Sequence, residues 1–174
     1  MSRNKGSKFE RHVAGLFGAW WGCDFKRTPM SGGSVHASGD IVPVAPAKDD
    51  PAREGKLLAV SRWPFSVECK AQEGWSVDQL LTSPSKSSLA KFLRQCFSGA
   101  KRERSNNDVP LLVAKRNNFM PLVFVQCSFD LRESNALCWL SFLDNDGIGR
   151  WVWVYSLEDF LKLPVVWVLE HLKP

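Results

Sequence analysis

The clearest periodicity lies near the start of the chain. Phe9, Val13, Leu16, Phe17 and Trp20 recur at i, i+4, i+7, i+8 and i+11, which is one face of an α-helix, and the spacing predicts a helix over 5–21. Glu10 projects about 75° from the centre of that stripe at 100° per residue, so an acid sits at the border of the buried face. A second helix is predicted over 87–100, where Leu89, Phe92, Leu93, Cys96, Phe97 and Ala100 share a face, with Lys91 and Arg94 on or near the other. Short apolar or β-branched runs predict strands over 24–28 (ended by Pro29), 40–44 and 65–69. Two more, 110–115 and 121–125, flank Arg116-Asn117-Asn118 as a hairpin, and weaker ones lie near 137–143 and 151–155. Ser156-Leu157-Glu158-Asp159 offers an N-cap for a brief helix to about Lys162. Residues 30–39 form a small-residue loop of the kind that lets backbone approach a ligand closely. Residues 45–56 read as a surface loop and 57–60 as the continuation of a hairpin. The order α-β-β-β-α-β-β predicts an α/β fold, helices flanking a central mixed β-sheet.

Length and composition narrow this little. A chain of 174 residues is the size of one ordinary domain, and 44% hydrophobic with 24% charged residues suits a soluble globular protein. The sequence has no run of 18 apolar residues and no apolar signal-peptide core in its first residues, so a cytoplasmic protein without a membrane partner is expected. Five cysteines (Cys23, Cys69, Cys96, Cys127, Cys138) with no CxxC, and three histidines away from ligand spacing, point to reduced, packed thiols rather than a structural zinc site. Charge is more informative. Residues 1–120 carry 19 Lys+Arg against 11 Asp+Glu, or +8, whereas 121–174 carry 4 against 7, or −3. A basic first two-thirds suits a polyanionic partner, because Lys and Arg at phosphates release counterions.

Candidate chemistry centres on Glu68-Cys69-Lys70. Glu68 and Lys70 are i and i+2 on a strand, so they leave the same face while Cys69 points the other way. Asp40 opens another short strand directly after the small-residue loop, and pairing of the two strands would set Asp40 beside Glu68. Converging carboxylates repel unless a cation lies between them. Hard oxygen ligands suit Mg²⁺ or Mn²⁺, and the backbone carbonyl of Cys69 is a plausible further ligand. Such a cation polarises a phosphate and lowers the pKa of water, and Lys70 is placed to stabilise developing charge.

Glu10, then Gly39-Asp40-Ile41-Val42, then Val67-Glu68-Cys69-Lys70 resembles the PD-(D/E)xK nuclease superfamily. Residues 3–11 and 25–33, Glu73 to Leu81, Gln95, and Pro110 to Asn117 more narrowly resemble archaeal-type Holliday junction resolvases and their phage-encoded relatives, over roughly residues 3–126. The resemblance implies a restriction-endonuclease-like core in 1–126, followed by a Trp-rich C-terminal extension in 127–174 packed on the same domain. It implies a Mg²⁺-dependent endodeoxyribonuclease, with Mn²⁺ able to substitute, that nicks branched DNA in pairs as a homodimer. Asp40 and Glu68 would be the metal carboxylates, Lys70 the catalytic lysine and Glu10 an assisting acid, acting on metal or water. Arg27 and Ser31 would contact the scissile region. Gln95 would face the site, and Arg11, Lys101, Arg102, Lys115 and Arg116 are candidates for the DNA backbone.

Three features depart from the pattern. Gly39 stands where the motif has proline, 27 residues separate Asp40 from Glu68, and the tail with Trp139, Trp151, Trp153 and Trp167 has no counterpart. Tryptophans and an acidic balance suit a core extension or a subunit interface. The same scaffold serves sequence-specific, homing-type and general repair endonucleases, and a DNA-binding or assembly subunit could keep the fold without the activity.

Overall fold

The structure, a computed structural model, describes residues 3–28, 39–102, 109–126 and 135–171, with the side chains of Arg3, Asn4 and Arg102 outside that set. Helix α1 (Arg3–Trp21) buries Phe9, Val13, Phe17 and Trp21 along one stripe. Trp21 takes the place expected for Trp20, which is only partly covered. The helix ends as Gly22 turns to φ +83° and donates its N–H to Gly18 O at 3.0 Å, an αL stop that a residue with a β-carbon would strain. Strands β1 (Phe25–Arg27) and β2 (Ile41–Pro43) follow.

Residues 57–60 then depart from expectation. They lie in helix α2 (Arg53–Ser61), not in a hairpin, and the surface loop stops at residue 52. Four apolar residues in a row carry no period of their own, and the helix is set by its surroundings. Asp50 Oδ1 accepts from the Ala52 N–H at 2.8 Å, Glu54 suits the first turn, and Lys56 reaches Asp50 and Asp24. Ala59 and Val60 pack toward α1, where the Trp21 indole donates to Ala59 O at 2.8 Å.

Strand β3 (Phe65–Ala71) crosses to β4 (Val109–Lys115) through α3 (Val77–Thr82) and α4 (Ser88–Arg102). Strands β5 (Leu122–Gln126), β6 (Cys138–Leu143) and β7 (Gly149–Ser156) complete the sheet. Helices α5 (Leu157–Phe160) and α6 (Val165–His171) close the described chain. The Ser156 side chain accepts from the Asp159 N–H at 3.0 Å, as its capping position predicts. The sheet order is β1-β2-β3-β4-β5-β7-β6; β3 and β4 are parallel and every other neighbouring pair is antiparallel.

Alternation along the central strands builds a core on each face. Val67, Cys69, Leu111 and Val113 face α1, α5 and α6; Leu112, Ala114 and Phe124 face α4. All six apolar positions predicted on α4 are buried. Strands β7 and β6 continue the sheet past β5, with Leu140, Phe142, Val152 and Val154 under α4. On the opposite face Trp139 and Trp151 stay over half exposed, their rings 4.8 Å apart. Among the described residues no helix is long and apolar enough to cross a membrane.

Candidate active site

Strands β2 and β3 are paired through Ile41 and Val67 alone, and the residue before that pair extends both ladders with its backbone. The Asp40 N–H donates to Val67 O at 2.6 Å, and Asp40 O accepts from Thr28 N–H at 2.8 Å. The Asp40 side chain then does what a longer β2 would do: Oδ2 accepts the Cys69 N–H at 2.8 Å, and the carboxylate is buried. Gly39 makes this approach feasible. It has φ +85°, and a β-carbon there would lie 2.4 Å from Val67 O. Proline, locked near −65°, cannot adopt that backbone, so the missing motif proline follows from local geometry.

Glu68 and Lys70 leave β3 on the α4 side. Glu68 Oε1 accepts from Lys70 Nζ and, at 2.7 Å, from Gln95 Nε2 on α4. Burial and then the Asp40 charge push the Glu68 carboxyl above its ordinary range; Lys70 pulls it down, and Glu10 adds to the upward push. Burial and the neighbouring acids together outweigh Lys70 at this carboxyl, an electrostatic condition that a bound cation relieves. Glu10, at the edge of the α1 stripe, accepts from Arg27 Nε on β1. The Cys69 thiol points into the α1-side core, and burial first, then Asp40, Glu10 and Glu68, hold its pKa well above the thiol range. Cys96 on α4 is likewise pushed up by burial and Glu68. Both therefore stay protonated, as packed thiols rather than nucleophiles. The described cysteines, Cys23, Cys69, Cys96 and Cys138, are all free.

Among the described residues no group of three or more His, Cys, Asp or Glu forms a ready metal cluster. A cation here would rest on two carboxylates and backbone oxygen, a hard donor set that fits Mg²⁺ or Mn²⁺. Strand alternation turns the Cys69 carbonyl to the same edge of β3 as its N–H, the edge facing Asp40.

The other candidates are spread more widely. Arg11 is exposed on α1 beside Glu10. Lys101 is engaged by Asp146 at 2.6 Å and Asp144 at 3.2 Å on the β6–β7 turn, so its charge is already partnered. Lys115 ends β4 exposed. Arg116 donates to Trp75 O at 3.1 Å and lies over the Phe119 ring at 3.7 Å. Trp75 itself is buried against Phe124 rather than presented to a ligand. Ser31, His36 and Cys127 lie outside the described residues, as does the Arg102 side chain. Sequence reasoning missed one grouping: Lys5, Lys8 and His12 share a cavity wall with Lys115 and Arg116. Their i, i+3, i+7 spacing on α1 was the available signal.

A mixed seven-stranded sheet flanked by helices, with two acids and a lysine meeting where β2 and β3 part, has the architecture of a restriction-endonuclease-like nuclease of the PD-(D/E)xK class. Residues 1–137 match the family described as "Phage putative PDDEXK endonuclease", and the chain belongs to that family. The match ends one residue before β6 begins. No curated protein and no solved structure matches the chain.

Proposed function

We propose that the protein is a metal-dependent endodeoxyribonuclease that resolves four-way DNA junctions by paired nicks. The observation that carries the chemistry is the Glu68 carboxyl, pushed up by burial and by Asp40 while Lys70 and Gln95 hold it. In this reading 1–126 is the nuclease core, and 127–174 is an extension packed on it.

Asp40, Glu68 and the Cys69 carbonyl would hold Mg²⁺, or Mn²⁺ in its place, which supplies Lewis acidity at the phosphate and lowers the pKa of adjacent water. Lys70 sets a positive charge where negative charge develops on the phosphoryl oxygens, at the edge of a low-dielectric core. Lys70 and Gln95 share Glu68 Oε1, which fixes the carboxylate plane and leaves Oε2 for a ligand. Arg27 holds Glu10 at the rim, where the acid orients water. Arg11, Arg27, Arg102, Lys115 and Arg116 neutralise the DNA backbone, and Ser31 contacts the scissile region with Arg27. Lys101 joins them only by leaving Asp144 and Asp146.

The junction preference and the homodimer rest on the resemblance to junction resolvases. The exposed Trp139, Trp151 and Leu143 on β6 and β7 support the dimer by offering apolar surface to a second copy. A panel of junction, flap, single-strand and duplex DNA, run with Mg²⁺ and with EDTA, tests the assignment. Paired nicks in the junction, lost in EDTA, are expected. Cutting of one defined duplex sequence in preference to the junction would replace junction resolution with sequence-specific cleavage.

A further inference from the structure

One cavity stands apart from the acid site. It has a volume of about 340 Å³ and lies between the first turns of α1 and the ends of β3 and β4. Lys5, Lys8 and His12 form one wall, and Lys115 and Arg116 the other. Among the described residues none of these four Lys and Arg side chains makes an ion pair. The single acid in the lining, Glu73, already accepts the Asn117 N–H at 2.7 Å. Phe9 and Ala71 add apolar surface. Four cations without an ion-pair partner among the described residues, around a partly apolar hollow, suit a phosphate with an organic body attached, and the volume is at the lower end of ligand sites.

Next to it stands the β4–β5 turn. Asn118 at φ 60° tightens that turn, and Phe119 and Met120 project 56% and 61% exposed. Arg116 links the two features, because it lines the cavity while its guanidinium lies over the Phe119 ring. A cation on one face of an aromatic ring that is still largely open, beside a basic hollow, matches the way unstacked bases are held. Ala71 follows Lys70 directly on β3, so the cavity opens one residue from the acid site, on the opposite face of the strand.

We infer that this cavity and the Phe119 turn bind one unstacked nucleotide of a DNA strand, its phosphate among Lys5, Lys8 and Lys115 and its base on the Arg116–Phe119 pair. The inference builds on the nuclease reading but is judged by binding alone. The site makes the protein a reader of DNA whose bases have left the duplex stack, as at a branch point.

The test is fluorescence anisotropy in EDTA with a labelled single strand of about 20 nucleotides and its blunt duplex, titrated with salt. Phe119→Ala is expected to weaken the single strand about tenfold, with less than twofold loss on the duplex. The Lys5→Ala/Lys8→Ala double variant is expected to weaken both probes and to flatten the single-strand salt slope by up to about 0.7, the loss of one phosphate contact. Wild-type binding of both probes by both variants overturns the inference, even when the wild type cuts DNA with Mg²⁺ and the nuclease reading stands. Equal loss on both probes in Phe119→Ala overturns the base-stacking role. Should the wild type cut nothing yet the variants show the expected pattern, the nuclease reading fails and the nucleotide site remains.

Discussion

At Gly39 the backbone itself selects the residue. Its φ of +85° and the 2.4 Å approach that a β-carbon would make to Val67 O exclude every L side chain. They also let Asp40 bond both neighbouring strands and the Cys69 amide. Gly39→Ala is expected to cost roughly 2 kcal/mol or more, from a left-handed alanine plus displacement of Val67, and to lower nuclease activity by moving Asp40; a denaturant melt with a parallel cleavage assay reads both. Glu68 shows the opposite relation of site and stability. Its carboxyl is disfavoured by burial and by Asp40 more than Lys70 favours it. In metal-free buffer at pH 7, Glu68→Gln should therefore melt no lower than wild type while losing activity, the trade expected where like charges are gathered for function. A clearly lower Tm would mean that the Lys70 and Gln95 contacts dominate instead.

The elements differ in how far local pattern determined them. Helix α1, helix α4 and the β4–β5 hairpin are legible because each repeats one period long enough to define a face. Phe9, Val13 and Phe17 on α1, and Leu89, Phe92, Leu93, Cys96, Phe97 and Ala100 on α4, are buried as their spacing predicts. Helix α2 was not legible, since its start depends on Asp50 and on a Lys56 contact to Asp24 from a distant segment. Short α3 and α6 have too few turns to display a period. The β6–β7 turn is organised by Asp144. Burial alone would raise that carboxyl, but bonds from Arg150, the Ile148 and Asp146 amides, and Lys101 hold it well below the carboxylate range. A depressed folded pKa gives stability that is complete above the unfolded value, near 4, and lost as pH falls through the folded one. Thermal melts from pH 7 to pH 2 should show this loss below about pH 4. Asp144→Asn should lower Tm at pH 7 and flatten that part of the acid dependence. An acid dependence unchanged in the variant would assign the loss to other carboxylates.

Over the whole molecule, the charge asymmetry acquires a structural meaning. The acidic tail supplies Asp144 and Asp146, which neutralise Lys101 on α4, whereas Lys5, Lys8 and Lys115 from the basic part line one cavity, with no ion pair among the described residues. The candidate acids and lysine were legible in the sequence as an ordered set, because strand alternation alone puts Glu68 and Lys70 together. The second wall of the basic cavity was not, since Lys115 and Arg116 meet α1 only through the parallel crossover. The sheet also runs on through β7 to an edge strand, β6, that carries no charged residue. Such an edge is normally protected or paired. In the proposed homodimer the Trp139→Ser/Trp151→Ser variant should accordingly shift the mass toward monomer in light scattering, and a mass equal to that of the wild type would count against this face as the contact.

The central claim is that Asp40, Glu68 and Lys70 form a metal-dependent phosphodiesterase site, and single-turnover cleavage of a labelled four-way junction tests it most directly. With Mg²⁺ the wild type should nick the junction, and Asp40→Asn and Lys70→Ala should each lose at least about 10²-fold in rate while still binding the junction in EDTA. Wild-type cleavage rates in both variants, or cleavage that survives EDTA, would contradict the account.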